Sequence, residues 1–226
     1  MDANDHSELE RITRRGSLLS LGGLLASGLG WRAAGTDEAD AAGVGPAAVA
    51  AGLVTCILTP EQAEGPYYLA NGRVRRDIRD GHRGVRLDLR TTVVDASTCK
   101  SVRNALVEIW HCDAAGLYSG FGGGASSRTF LRGGQRTDAK GLARFTTIYP
   151  GWYPGRTVHI HVKVYIGGSV VHTGQLYFND AVTDTVYRKA PYRARGARTT
   201  RNADDSIFRN GGSRSQVRLA KDADGS

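Results

Sequence analysis

Residues 151–166 read GWYPGRTVHIHVKVYI, and two of them, His159 and His161, stand at i and i+2. On an extended chain such a pair points one way, with Cα atoms roughly 7 Å apart, close enough to converge on one metal ion. Val158, Ile160, Val162, Val164 and Ile166 point the other way, toward a core. Core filling therefore leaves the histidine face unexplained. Two imidazoles are not a complete metal site, and by themselves they also describe two partly exposed strand histidines. The remaining donors come from tyrosine: Tyr118 in DAAGLYSG and Tyr153 in PGWYPGR, both in turn-rich stretches. A phenol keeps its proton near neutral pH, but a hard trivalent ion displaces it. Fe(III) suits two phenolates together with two imidazoles.

These residues need a rigid scaffold, and the hydropathy pattern supplies short strands. Val85, Leu87, Leu89, Thr91 and Val93 alternate with polar residues, which predicts a half-buried strand. A second strand covers Leu106–His111, a long one Thr157–Ile166, and another Val170–Phe178 after the turn GGS. GLYSGFGGG, 116–124, must be a loop. DAKG, 138–141, reads as the tight turn of a hairpin between FLRG and ARFTTI. Short strands at this spacing, with almost no helical periodicity and 30 glycines, predict an all-β β-sandwich.

Several blocks together carry a resemblance: WHCDAAGLYSG (110–120), TFLRGGQRTD (129–138), TIYPGWYPGRTVHIH (147–161) and GQLYF (174–178). In these the chain resembles the intradiol ring-cleavage dioxygenases, from about Cys56 to about Phe208, and is most similar to the secreted members, which have WHCD and EGPYY in these places. The resemblance implies a prealbumin-like β-sandwich and a non-haem Fe(III) enzyme of aromatic compound catabolism. Such enzymes open catechols between the hydroxyl-bearing carbons with O₂, giving cis,cis-muconates. It makes Tyr118, Tyr153, His159 and His161 the metal ligands. Tyr149 competes with Tyr153, but the family's flanking prolines favour Tyr153 and leave Tyr149 to the core or pocket wall. Arg156 falls where the family keeps an arginine that stabilises charge on the reacting substrate, and Gln175 where it keeps an active-site glutamine. Trp110 and His111 read as structural, and Pro66 and Tyr67 as lining the mouth. The segment between Tyr153 and Arg156 is shorter than in the soluble catabolic members, which implies a more open pocket. The helical dimerisation segment of the catechol-specific members has no counterpart, so no oligomeric state carries over.

The rest of the sequence sets the context. Apolar residues at 40% and charged residues at 23% describe a globular chain of 226 residues. Residues 1–41, with Arg14 and Arg15 ahead of a weak apolar run, read as a twin-arginine export signal. That run is too short and Gly-rich for a membrane anchor. Residues 42–58 read as a linker and 59–226 as the catalytic domain. The formal charge of +8 comes largely from 187–201, read as a solvated basic surface and not as a nucleic-acid interface. In an exported protein the three cysteines imply one disulfide, with Cys56 in it, since the strand 105–111 holds Cys99 and Cys112 apart. The competing expectation is a secreted transthyretin-like binding module, which shares the TDAKGLARF turn, binds no iron and catalyses nothing.

Overall fold

A computed structural model describes residues 58–70 and 73–220. The expected export segment, and the linker apart from Leu58, lie outside the described residues, as does Cys56. No helix among the described residues is long and apolar enough to cross a membrane.

Among the described residues six strands make two antiparallel sheets: β1 (Arg86–Thr92), β2 (Leu106–Trp110), β3 (Arg132–Arg136), β4 (Leu142–Ile148), β5 (His159–Ile166) and β6 (Ser169–Tyr177). One sheet is the pair β1–β4; the other has the order β3–β2–β5–β6. Leu89, Ala143 and Phe145 on the two-stranded sheet meet Val107, Ile109, Ile160, Val162 and Val164 on the other, forming the core expected of a β-sandwich. Each of the larger of these side chains, once buried, stabilises the fold by about 1.5–3 kcal/mol. Along β1 the alternation works as the sequence pattern requires, with Leu89 buried between exposed Asp88 and Arg90. Residues 73–78 stitch the edges of both sheets. Gly134 N donates to Arg73 O at 2.7 Å, and Ile78 N donates to Thr146 O at 3.0 Å.

Three expectations need correction. The turn at 138–141 exists, with Gly141 N donating to Asp138 O and Asp138 Oδ1 accepting from the amides of Lys140 and Leu142. It closes no hairpin, because β3 pairs with β2 and β4 with β1. Thr137 explains this: its amide donates to Ala105 O and its carbonyl accepts from Asn104 N, which keeps the chain in the larger sheet up to the turn. The turn therefore arches from one sheet to the other.

Nor is the C-terminal region free of helix. α1 (Asp180–Tyr187) is capped by the Asn179 side chain, which accepts from Ala181 N, and it buries Thr183, Val186 and Tyr187. A short α2 (Ser206–Arg209) follows, capped by Asp205.

The segment 187–201 is not simply a solvated basic surface. Tyr192 is buried, and Arg198 is nearly so, paired with Asp180 and with Asp184, the latter at 2.9 Å. Cys99 is disulfide-bonded, whereas Cys112 is a buried free thiol. Burial pushes that thiol up to about 12, so it stays protonated and unreactive.

Candidate metal centre

The strand register builds one face of the larger sheet into a site. Arg132 on β3, Trp110 on β2, His161 on β5 and Gln175 on β6 lie directly across from one another in a single row. His159 stands opposite Tyr177 in the next row on the same face. Both histidines are buried, at 2% and 0% exposure, although they face away from the sandwich core. They are covered by the strap 58–70 and by the loops that carry Tyr118 and Tyr153.

The His159 Nδ1 donates to Thr157 O at 2.6 Å. A neutral His159 therefore keeps a bare lone pair on Nε2, and this atom lies 3.1 Å from His161 Nε2 and 3.1 Å from the Tyr153 hydroxyl. The His161 ring stacks on Trp110, with centroids 4.8 Å apart and planes 2° apart. Trp110 is thus more than core filling, because it fixes that imidazole. His111 stays structural, with Nδ1 donating to Cys112 O and Nε2 against the Thr147 hydroxyl.

Tyr118 sits beside Tyr153, ring centroids 5.7 Å apart, and 6.2 Å from the His161 ring. Its hydroxyl is buried and makes no hydrogen bond of ordinary geometry among the described residues. Such an orphan is costly unless something binds it. Two loops hold the tyrosines in register. Asp113 ties the first, its Oδ1 accepting from Ala115 N and Leu117 N at 2.9 Å each. Gly151 N donates to Asp113 O at 3.1 Å, and any side chain at Gly151 would run into that carbonyl. Tyr149 points into the core instead, its hydroxyl 2.7 Å from Thr183 Oγ1, and is not part of the cluster.

Charge favours a bound cation. Burial, followed by the Arg156 charge, pushes His159 down to about 3, and burial takes His161 well below its ordinary value, so both offer neutral nitrogens. Burial also raises Tyr118 well above a normal phenol, and raises Tyr153 to about 12. Only a positive charge at this point would draw off the phenolic protons. No group of three or more His, Cys, Asp or Glu that could hold a metal occurs among the described residues. The donor set is two imidazoles and two phenols, and it fits ferric iron.

Arg156 donates through Nε to Asp205 Oδ2 at 2.9 Å and through a terminal nitrogen to Gln175 Oε1. Gln175 donates from Nε2 to Ala63 O at 2.8 Å, so its amide braces Arg156 and the strap together. The strap also contributes Tyr67, stacked on Tyr118 at 4.3 Å, as expected of a residue at the mouth. Sequence reading missed Arg132, Asp205 and Gly65. For Asp205, the run DDSIF, an aspartate one residue ahead of a short apolar helix, was the available signal.

A family model described as a dioxygenase matches residues 63–195. The chain belongs to the intradiol ring-cleavage dioxygenases. It is similar to a solved intradiol ring-cleavage dioxygenase from Tetranychus urticae. The identity is 36% and the TM-score 0.70, and the match covers 73% of this chain and 87% of that one. It is 38% identical over 101 residues to catechol 1,2-dioxygenase of Acinetobacter baylyi, covering 42% of this chain and 32% of the relative. Over 113 residues it is 37% identical to the protocatechuate 3,4-dioxygenase beta chain of Burkholderia cepacia, covering 42% and 47%. The chain spans between 32% and 56% of the length of the curated relatives it matches.

Proposed function

We propose that this protein is a ferric dioxygenase that cleaves catecholic aromatics between their two hydroxyl-bearing carbons, incorporating both atoms of O₂ to give cis,cis-muconates. The observation that carries this is the convergence of His159 Nε2, His161 Nε2 and the Tyr153 hydroxyl, with the orphaned Tyr118 hydroxyl alongside. Bound by these four side chains, ferric iron would supply Lewis-acid chelation of the catechol oxygens and the electronic link between ring and O₂.

The side chains have distinct tasks. His159 is held in one tautomer by Thr157 O, and His161 is held in plane by Trp110. Tyr118 is buried under Tyr67 and stays in place. Tyr153 is partly exposed, and as an iron-bound phenolate its oxygen would be the base that takes a catechol proton. Arg156, braced by Asp205 and Gln175, places a fixed positive charge where the substrate oxygens become anionic as the ring opens. Relatives named for catechol, chlorocatechol and protocatechuate support a catechol substrate without selecting one ring. Export by the twin-arginine route belongs to the same proposal; replacing Arg14 and Arg15 with lysine should leave the precursor in the cytoplasm.

The test is purification after ferric reconstitution. The protein should be red-brown through phenolate-to-iron charge transfer, and catechol added without O₂ should shift that band. His161→Ala should lose iron, whereas Tyr153→Phe should keep part of it and turn over slowly. In ¹⁸O₂ the muconate should carry two labelled atoms. A colourless, iron-free protein, or a product cleaved outside the diol, would overturn the assignment.

A further inference from the structure

A cleft of about 330 Å³ opens beside the start of β1, and none of the metal-centre residues lines it. Its rim carries Arg79, His82, Arg83 and Arg86, and its floor is Ile148 with Ala190 and Pro191. No lining residue is acidic. Asp77 grips Arg79, with Nη2 to Oδ2 at 2.7 Å, and Asp88 grips Arg86, with Nε to Oδ2 at 2.8 Å. The ion pair of Arg79 does not use all its donors, because a guanidinium has five N–H groups. Arg83 is exposed and makes no ion pair among the described residues. The local charge is therefore an uncompensated cation on a rim of fixed ones.

The floor is apolar for a definable reason. A Cβ at Gly84 would stand 2.9 Å from Ile148 Cβ, so only glycine lets the 82–86 backbone lie against β4 this closely. The His82 ring stacks on Phe130, centroids 3.7 Å apart, and adds a planar wall. At this volume, near the lower limit for ligand pockets, the cleft takes one ring-sized molecule rather than a peptide. Guanidinium groups bind carboxylates through paired N–H donors and lie flat against planar groups.

We propose that this cleft binds a carboxylate carried on a flat unsaturated hydrocarbon body, with the carboxylate on Arg83 and the body against Ala190 and Pro191. Two sources share that chemistry: an aromatic acid, and the open-chain dienedioate that ring opening would release. The proposal stands apart from the metal centre, because no residue of the cleft belongs to it.

The test is calorimetric titration of the purified full chain at low salt with benzoate, cis,cis-muconate and uncharged benzyl alcohol. Both acids should saturate with Kd of about 1 mM, as expected for one partly exposed charge pair with modest apolar burial. Benzyl alcohol should bind at least about fivefold more weakly, and Arg83→Ala should weaken both acids by a similar factor. Arg83→Lys should restore part of the loss. Tighter binding of muconate would identify the ring-opened product as the natural occupant; equal or tighter binding of benzoate would identify an aromatic acid. Absence of saturation by about 10 mM, benzyl alcohol binding as well as benzoate, or unchanged affinity in Arg83→Ala would overturn the proposal, the last by placing the ligand elsewhere, for example at Arg156.

Discussion

Asp205 Oδ2 accepts from two neighbouring donors at once, Arg156 Nε and Thr157 N, each at 2.9 Å. Its other oxygen caps α2, taking Ile207 N at 2.8 Å and Phe208 N at 3.1 Å. One buried carboxylate thus ties α2 to the arginine beside the candidate metal centre. Asp205→Asn keeps the shape but loses the charge and one acceptor. Iron and colour should remain, turnover should fall by about 10²-fold, and stability by about 1–3 kcal/mol. Stopped-flow turnover set against iron content separates these effects; a variant that loses iron in proportion to activity would show that Asp205 serves the metal and not Arg156.

The same carboxylate gives a pH dependence. Burial opposes its ionisation, but the Thr157 amide and Arg156 outweigh burial and hold it below the usual carboxylate range. Its folded-state pKa is thus depressed. The stabilisation is fully present above the unfolded value of about 3.9 and is lost as pH falls through the lower folded value. Asp77, lowered to about 2 chiefly by the Arg79 hydrogen bond, has the same sign but is more exposed and more strongly screened. Melting temperatures of the wild type should drop steeply between about pH 4 and pH 2, and Asp205→Asn should flatten that slope. Parallel curves for the two proteins would count against the assignment.

Gly65 lies over the His161 imidazole. Its φ is +75°, and a Cβ there would stand 3.0 Å from His161 Cε1. Alanine would therefore be strained in its backbone by about 1–2 kcal/mol and would press on the ring that Trp110 holds from the other side. Gly65→Ala should fold, melt a few degrees lower, and bind ferric iron about tenfold more weakly. Chelator competition reads the affinity directly, and wild-type affinity would show that the strap yields without moving His161.

The candidate cluster was legible from the sequence where local pattern carried it. His159 and His161 share a face because of the two-residue strand period, and Tyr118 and Tyr153 stand out as phenolic oxygen donors in turn-rich stretches of the same chain. Tyr149 and Tyr153 could not be separated by local pattern alone, since both flank Pro–Gly; the structure puts the Tyr149 hydroxyl on Thr183 of α1. The arch at 138–141 was misread as a hairpin because turn chemistry fixes the turn but not the partners, and Thr137 commits its backbone to Asn104 and Ala105, more than thirty residues away. Asp205 and Arg132 escaped notice for the same reason. Their roles lie in contacts with residues 156 and 67, which no window along the chain contains.

Arg132 joins the two halves of the pocket wall. Its Nη1 donates to Tyr67 O at 2.6 Å, and its Nε and Nη2 donate to Ser119 O at 3.1 and 2.8 Å, next to Tyr118. The guanidinium carbon lies 5.7 Å from the Tyr118 ring centroid. Burial lowers its pKa to about 10, so it stays charged at neutral pH, yet it forms no ion pair among the described residues. Two costs oppose each other on removal. Arg132→Met relieves a buried charge but strands the Tyr67 and Ser119 carbonyls, each worth about 1–3 kcal/mol if left unpaired. Stability should therefore change little, while the Tyr67–Tyr118 stack loosens. Arg132→Lys separates charge from bracing, because an ammonium keeps the charge without the planar fork that reaches both carbonyls. If bracing is the task, both variants should release iron to a chelator at least about tenfold faster than the wild type at nearly equal melting temperature. A lysine variant that holds iron like the wild type would assign the role to the charge instead, and a methionine variant that does so would leave Arg132 without a part in the site.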